Sequence, residues 1–158
     1  MVTSSPTTNW PVFSNASSQY QIKYPQDWSF KLLGKGTLQL FTSPSNNPAV
    51  EPDAAINVYV INNPSSTDPL TFLRQISEEG VSTEGATEFG YPSPNLGLAL
   101  FIPVNGTRAM KIPSTDGFSQ SHIYVPQHGR FIILDSIRTQ GSIPLDQFLN
   151  MIVSTLKF

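Results

Sequence analysis

Cysteine is absent from this chain, and charged residues are scarce. Without cysteine the chain excludes disulfides, thiolate catalysis and metal sites built on cysteine. Lysine and arginine total 9 against 11 acidic residues, and charged residues make up 13% of the chain, where about a quarter is usual. A nucleic-acid binder needs a clustered basic face that displaces counterions from phosphates, so the composition predicts no nucleic-acid partner.

Long apolar runs are also missing. No stretch of about 18 apolar residues occurs, so no membrane span is predicted. Residues 1–9 have neither a basic nor an apolar region and are not a signal peptide. We interpret them as the polar, flexible spacer that follows a removed export signal, with Met1 supplied by cloning; the alternative is a frayed terminus. Residues 10–158 then form a single domain, because this length suits one hydrophobic core.

Alternation of apolar and polar residues predicts strands, and two segments with helical spacing predict helices. The first helix has Thr67 or Asp68 as its N-cap, Pro69 at its first position and Gly80 as its stop. The closing helix carries an apolar stripe and runs from about residue 144 to residue 156. The strand predictions cover residues 20–24, 37–41, 54–61, 96–102, 107–112, 122–125 and 130–134.

Strands and helices do not alternate regularly along the chain. A parallel sheet requires such alternation, so the sheet should be mainly antiparallel with helices packed on its faces. The expected fold class is therefore α+β, in layers.

Two motifs that could carry catalysis are incomplete. The stretch Gly117-Phe-Ser-Gln-Ser121 resembles a hydrolase nucleophile elbow, but a serine stands where the last glycine belongs. The stretch Gly34-Lys-Gly36 lacks the spacing of a phosphate-binding loop and is interpreted as a turn. The sequence therefore predicts no enzyme and no cofactor.

The chain has only two histidines, His122 and His128. They are predicted at the base and the loop of one hairpin, too far apart to share a metal ion. We interpret His128 as an exposed turn residue and His122 as a surface or cross-strand packing residue. A metal site on His122, completed by Asp116 or Asp135, is the weaker alternative.

Aromatic residues supply the candidates for a partner surface, because they contribute disproportionately to interfaces. The alternative for each is an ordinary place in the core. The candidates are Tyr59, Tyr91, Phe101 and Tyr124.

Two end motifs carry a family resemblance. The segment Tyr20-Gln-Ile-Lys-Tyr-Pro-Gln-Asp-Trp28, preceded by Trp10, resembles the opening of PsbP-like proteins, the family of an extrinsic photosystem II subunit. The closing segment, residues 148–158, is similar to the last helix and short end of that family. The resemblance implies an α-β-α sandwich around an antiparallel sheet, with the motif aromatics serving as core residues.

The resemblance also implies a class of function. The family includes many exported bacterial lipoproteins of unknown role, and the polar leader and sparse basic residues suit that branch better than a photosystem subunit. We therefore expect a non-catalytic binding or assembly module of the cell envelope with an unidentified protein partner. Its contact with the membrane would be limited to a lipidated N-terminus upstream of Val2. A small-ligand or metal-ion carrier on the same fold is the alternative.

Overall fold

The fold is built on nine strands and two helices of the described residues. The computed structural model describes residues 6–42, 52–79, 98–113, 121–139 and 144–158. The helices are α1 (Pro69–Glu79) and α2 (Leu145–Ser154). The strands are β1 (Val12–Asn15), β2 (Tyr20–Lys23), β3 (Trp28–Leu32), β4 (Leu38–Thr42), β5 (Ala54–Asn62), β6 (Leu100–Val104), β7 (Thr107–Ile112), β8 (His122–Gln127) and β9 (Arg130–Thr139).

Seven of these strands form one sheet in the order β3-β4-β5-β9-β8-β7-β6, and each adjacent pair in it is antiparallel. The predicted antiparallel α+β class is confirmed. β1 and β2 pair separately, and Gln21 exchanges backbone hydrogen bonds of 2.9 Å with Lys157. The predicted first strand therefore belongs to this small sheet, together with a strand, β1, that the alternation did not reveal.

Helix α2 covers one face of the large sheet. The apolar stripe predicted for the closing helix is the side that is buried, including Leu145, Leu149 and Ile152. At the first residue of β3, Trp28 places its ring 5.3 Å from that of Phe148, measured between centroids. The tryptophan of the opening motif thus joins the sheet to the closing helix and is a core residue, as expected.

Helix α1 lies on the opposite face. Its N-cap is Asp68, whose carboxylate accepts a hydrogen bond from the backbone amide of Thr71 at 3.0 Å and another from the Thr71 hydroxyl. Pro69 takes the first helical position, as predicted. Gly80, the predicted stop, lies outside the described residues.

Residues 6–9, in the stretch interpreted as a spacer, lie against the domain. Residues 6–9 form turns, and the Thr7 carbonyl accepts hydrogen bonds of 3.3 Å from the Trp10 amide and from Lys23 Nζ. Part of the stretch assigned as a flexible spacer therefore contacts the domain.

Candidate functional site

A row of buried polar side chains crosses the sheet on the face that α1 occupies. Its members, here called the polar row, are register neighbours on four consecutive strands: Gln39, Asn57, Asp135 and His122. Gln39 Nε2 donates to Asn57 Oδ1 at 3.1 Å. Strands covered on both faces must satisfy such groups internally, because water does not reach them.

Asp135 is the centre of this row. Its Oδ2 accepts a 2.7 Å hydrogen bond from the Tyr59 hydroxyl, and its Oδ1 lies 2.7 Å from His122 Nδ1. A carboxylate only accepts, so we assign the proton of this bond to Nδ1. The contact holds the imidazole in one orientation and leaves Nε2 as the acceptor nitrogen when the ring is neutral.

The structure brings together two of the three predicted metal-site residues. His122 and Asp135 are in direct contact, while Asp116 lies outside the described residues. Of the two roles predicted for His122, cross-strand packing is correct, because its side chain is buried beside Asp135 of the neighbouring strand, and the surface position is wrong. Within the ranges described, no three His, Cys, Asp or Glu side chains gather as a possible metal site.

Two of the four aromatic contact candidates are not on the surface. Tyr59 is 4% exposed and Tyr124 is 1% exposed, because central strands of a sandwich are covered on both faces. Both therefore belong to the core, and the prediction that they offer a contact surface is wrong for this fold. Tyr91 lies outside the described residues. His128 is exposed in the turn between β8 and β9, as expected.

Phe101 is the aromatic candidate that the structure places in solvent, at 43% exposure on the outermost strand β6. The guanidinium carbon of Arg108, on the neighbouring strand, lies 3.7 Å from the centre of its ring. Stacking of this kind orients both side chains and contributes about 0.5–1 kcal/mol at an exposed site. The pair presents a flat, preformed aromatic and cationic surface.

Sequence analysis missed a second polar cluster, on the face that α2 covers. Lys111 Nζ bonds Asp146 Oδ2 and Asn150 Oδ1, both at 2.8 Å, and Ser121 Oγ donates to Asp146 Oδ1 at 3.1 Å. The available signal was alternation, since Lys111 lies on the same face of β7 as Ala109, and residues 109–112 are buried on both faces of that strand. A lysine at such a position needs a partner from the covering helix.

Comparison with solved structures supports the fold. The solution structure of a cyanobacterial PsbP, CyanoP from a Synechocystis species, is similar with a TM-score of 0.57 and 11% sequence identity, over 93% of this chain and 91% of that one. A crystal structure from Bacteroides thetaiotaomicron is similar with a TM-score of 0.50 and 14% identity, over 92% of this chain. This chain spans 47% of the length of the Bacteroides chain.

At the level of sequence, no family model matches this chain. No curated protein matches it significantly either. The chain has a PsbP-like fold, an α+β sandwich around an antiparallel sheet, and the predicted likeness is confirmed at the level of structure. Among the described helices, none has both the length and the apolar character needed to cross a bilayer.

Proposed function

We propose that this protein is a non-catalytic binding or assembly module of the cell envelope. The observation that carries the proposal is which side chains the fold buries and which it exposes. The ionisable groups of the polar row hydrogen-bond to one another inside the fold, whereas an aromatic residue and an arginine are exposed together at an edge of the sheet. Catalysis requires accessible ionisable groups, while binding requires accessible contact residues.

Phe101 and Arg108 form the proposed partner surface. Aromatic and arginine side chains are enriched among residues that dominate binding energy. Because each side chain holds the other in place, little rotamer freedom is lost when a partner covers them. The proposed partner is a protein that buries the Phe101 ring and accepts a hydrogen bond from the guanidinium of Arg108.

The envelope location is supported by composition. Only 13% of the chain is charged, and the described part of residues 1–9 is a polar turn beside the domain. We propose an extracytoplasmic protein tethered by a lipidated residue upstream of Val2. The full-length gene should then encode a signal peptide that ends in a cysteine just before Val2, and a start codon at Met1 with nothing before it would refute the tether.

The binding role is tested by affinity capture from native envelope extract, read by mass spectrometry. The baits are the unmodified protein, Phe101→Ser and, as a matched control, Val12→Ser, which also replaces an exposed apolar residue. We expect one partner to be captured by the unmodified bait and the control and lost with Phe101→Ser. A capture profile that is the same for all three baits would contradict the proposed surface.

The contact between His122 and Asp135 keeps the carrier alternative as a second candidate. A carboxylate that bonds one imidazole nitrogen while the other binds a metal is a recurring arrangement in zinc proteins. Elemental analysis of protein purified without chelators tests it. A stoichiometric ion that Asp135→Asn abolishes would support a carrier, and metal-free protein would count against its metal form.

A further inference from the structure

The two outermost strands of the large sheet differ in the backbone groups that they expose. At β3 the amide of Leu33 donates to the carbonyl of Thr37 at 2.7 Å, one residue beyond the paired strands. Antiparallel pairs alternate between hydrogen-bonded and non-hydrogen-bonded. The backbone groups of Ser29 and Lys31 therefore point to β4, and those of the even-numbered residues of β3 point away from the sheet.

Three residues of β3 thus face outward: Trp28, Phe30 and Leu32. The amide of Trp28 already donates to the carbonyl of Pro25 at 2.9 Å. Within the part of the chain that the structure describes, the outward edge therefore offers two donors, at Phe30 and Leu32, and the carbonyls of all three residues. The Phe30 and Leu32 side chains lie on one side of the strand and are 46% and 60% exposed. The Phe30 ring also packs within the chain, with its centroid 5.2 Å from that of Phe13 and 5.9 Å from that of Tyr24. Such an edge pairs readily with another strand.

The opposite edge, β6, is protected. Asn105 and Gly106 have φ angles of 46° and 79° and form the two-residue turn to β7. In such a hairpin the residues flanking the turn form a hydrogen-bonded pair, so Phe101 and Pro103 face outward. Proline has no amide hydrogen, and within β6 only Phe101 remains as an outward donor.

We propose that two copies of this chain associate through their β3 edges, in an antiparallel pair centred on Phe30. A contact between β3 of one copy and β6 of the next would propagate into open chains. The missing donor at Pro103 weakens that contact. The pairing of β3 with itself is closed by a two-fold axis and joins the two large sheets into one.

The positive charge of Lys31 favours one register of this strand pair over the other. A pair centred on Lys31 and a pair centred on Phe30 satisfy equal numbers of backbone hydrogen bonds. The first places the two Lys31 side chains directly opposite each other, which is destabilising. The second avoids this contact, because it places each Lys31 opposite Ser29 of the other copy and sets the two Phe30 residues opposite each other.

The size of the contact predicts a weak dimer. A five-residue strand with two exposed apolar side chains buries less than the roughly 1,600 Å² of a standard interface. The dimer should therefore form reversibly as protein concentration rises, and it does not depend on the partner surface at Phe101 and Arg108.

Sedimentation velocity over a series of protein concentrations tests the dimer. Leu32→Pro removes the outward amide and leaves the ladder to β4 intact, while Leu32→Thr shortens the same side chain and keeps the amide. Because the dimer is two-fold symmetric, the Leu32 amide of each copy donates to the other copy, and Leu32→Pro removes both of these hydrogen bonds. We expect Leu32→Pro to weaken dimerisation about tenfold or more relative to Leu32→Thr. A protein that stays monomeric at about millimolar concentration, or equal behaviour of the two variants, would overturn the proposal.

Single cysteines test the register, because the chain has no cysteine of its own. Phe30→Cys places two thiols on directly opposed residues, whose Cα atoms are about 5.5 Å apart in a hydrogen-bonded pair and within disulfide range. In that register Lys31→Cys leaves its Cα atoms farther apart than the limit of about 7 Å. We expect disulfide-linked dimer for Phe30→Cys only. Crosslinking of Lys31→Cys alone, or of neither variant, would contradict the proposed pair even if Leu32→Pro failed to fold.

Discussion

Asp135 hydrogen-bonds to buried side chains on both neighbouring strands. Its carboxylate joins three adjacent strands, because Tyr59 lies on β5, His122 on β8 and Asp135 itself on β9. All three side chains are buried. Removing one member of a buried pair leaves the other without compensation, and this costs more than the pair contributes net.

Replacing Asp135 with asparagine should lower the free energy of unfolding by about 3 kcal/mol. The amide group supplies a single acceptor oxygen to the two donors and loses the charge that strengthens both bonds. Tyr59→Phe should cost about 1.5 kcal/mol, since it removes one hydrogen bond to a charged acceptor. Urea unfolding measures both, with Asp53→Asn at an exposed site as the control. Equal effects of Asp135→Asn and Asp53→Asn would contradict the argument.

The polar row was only partly predictable. The pairing of His122 with Asp135 could be named as one option, because Asp135 directly follows the predicted strand 130–134, which forms a hairpin with the strand that begins at His122. The strand pattern placed Asn57 and Tyr59 together on the face opposite Ile56. It did not show that this face is buried at these positions, so burial of the row could not be predicted from the alternation.

Among the secondary-structure elements, the start of α1 was the most fully predicted. The hydroxyl and amide of Thr71 both donate to Asp68 and hold the pKa of its carboxyl below the ordinary value. This cap depends on residues within four positions of one another, so a local pattern was sufficient to limit it to Thr67 or Asp68, and the structure shows Asp68.

The Asp68 cap should give α1 a pH-dependent stability. The folded state favours the carboxylate, so the contribution is complete above the unfolded-state pKa of about 3.9 and is lost as the pH falls through the lower folded-state pKa. Asp68→Ala should cost about 1 kcal/mol at pH 7 and less below about pH 4. Asp68→Asn keeps a capping oxygen at every pH and serves as the control. A cost of Asp68→Ala that stays constant down to pH 3 would argue against a charged cap.

An ion pair between Lys111 and Asp146 joins α2 to the sheet, and its two side chains differ in solvent exposure. The side chain of Lys111 is 7% exposed and that of Asp146 is 56% exposed. If Lys111 is lost, Asp146 is hydrated by solvent. If Asp146 is lost, the buried ammonium group retains Asn150 but no charged partner among the contacts described above.

Asp146→Ala should therefore destabilise the protein by about 2 kcal/mol, and Lys111→Met by less than about 1 kcal/mol. The double variant should be more stable than Asp146→Ala alone, because it no longer buries an uncompensated charge. Thermal or urea unfolding of the three variants measures this, with Gln147→Ala as an exposed control on the same helix. A larger loss for Lys111→Met than for Asp146→Ala would reverse the interpretation.

In the whole molecule, the two edges of the large sheet are the proposed sites of contact with other protein chains. The sandwich buries the faces of the central strands, so backbone groups and apolar side chains are exposed mainly at β3 and β6. Within the described residues, β3 has outward backbone donors, whereas β6 is protected by Pro103 and carries Phe101 beside Arg108. The two proposals, self-association and partner binding, therefore concern opposite ends of the same sheet.

Restoring the missing donor at β6 should change this behaviour. Pro103→Thr adds an outward amide beside that of Phe101 and creates a second edge able to pair with β3. We expect higher oligomers or turbidity at concentrations at which the unmodified protein is at most dimeric. Pro64→Thr, in an exposed loop, is the matched control. Unchanged light scattering for Pro103→Thr would show that the proline does not protect this edge.

Local pattern determined the fold class, limited the N-cap of α1 to Thr67 or Asp68 and identified the buried stripe of α2, because each depends on residues close in sequence or on periodicity. The core role of Trp28 was implied by the family resemblance. Only the tertiary structure decided that β2 leaves the main sheet, that Tyr59 and Tyr124 are covered, and that Lys111 meets Asp146. These outcomes depend on which elements pack against each face. That choice is made by contacts between residues far apart in the chain, which alternation within a strand does not report.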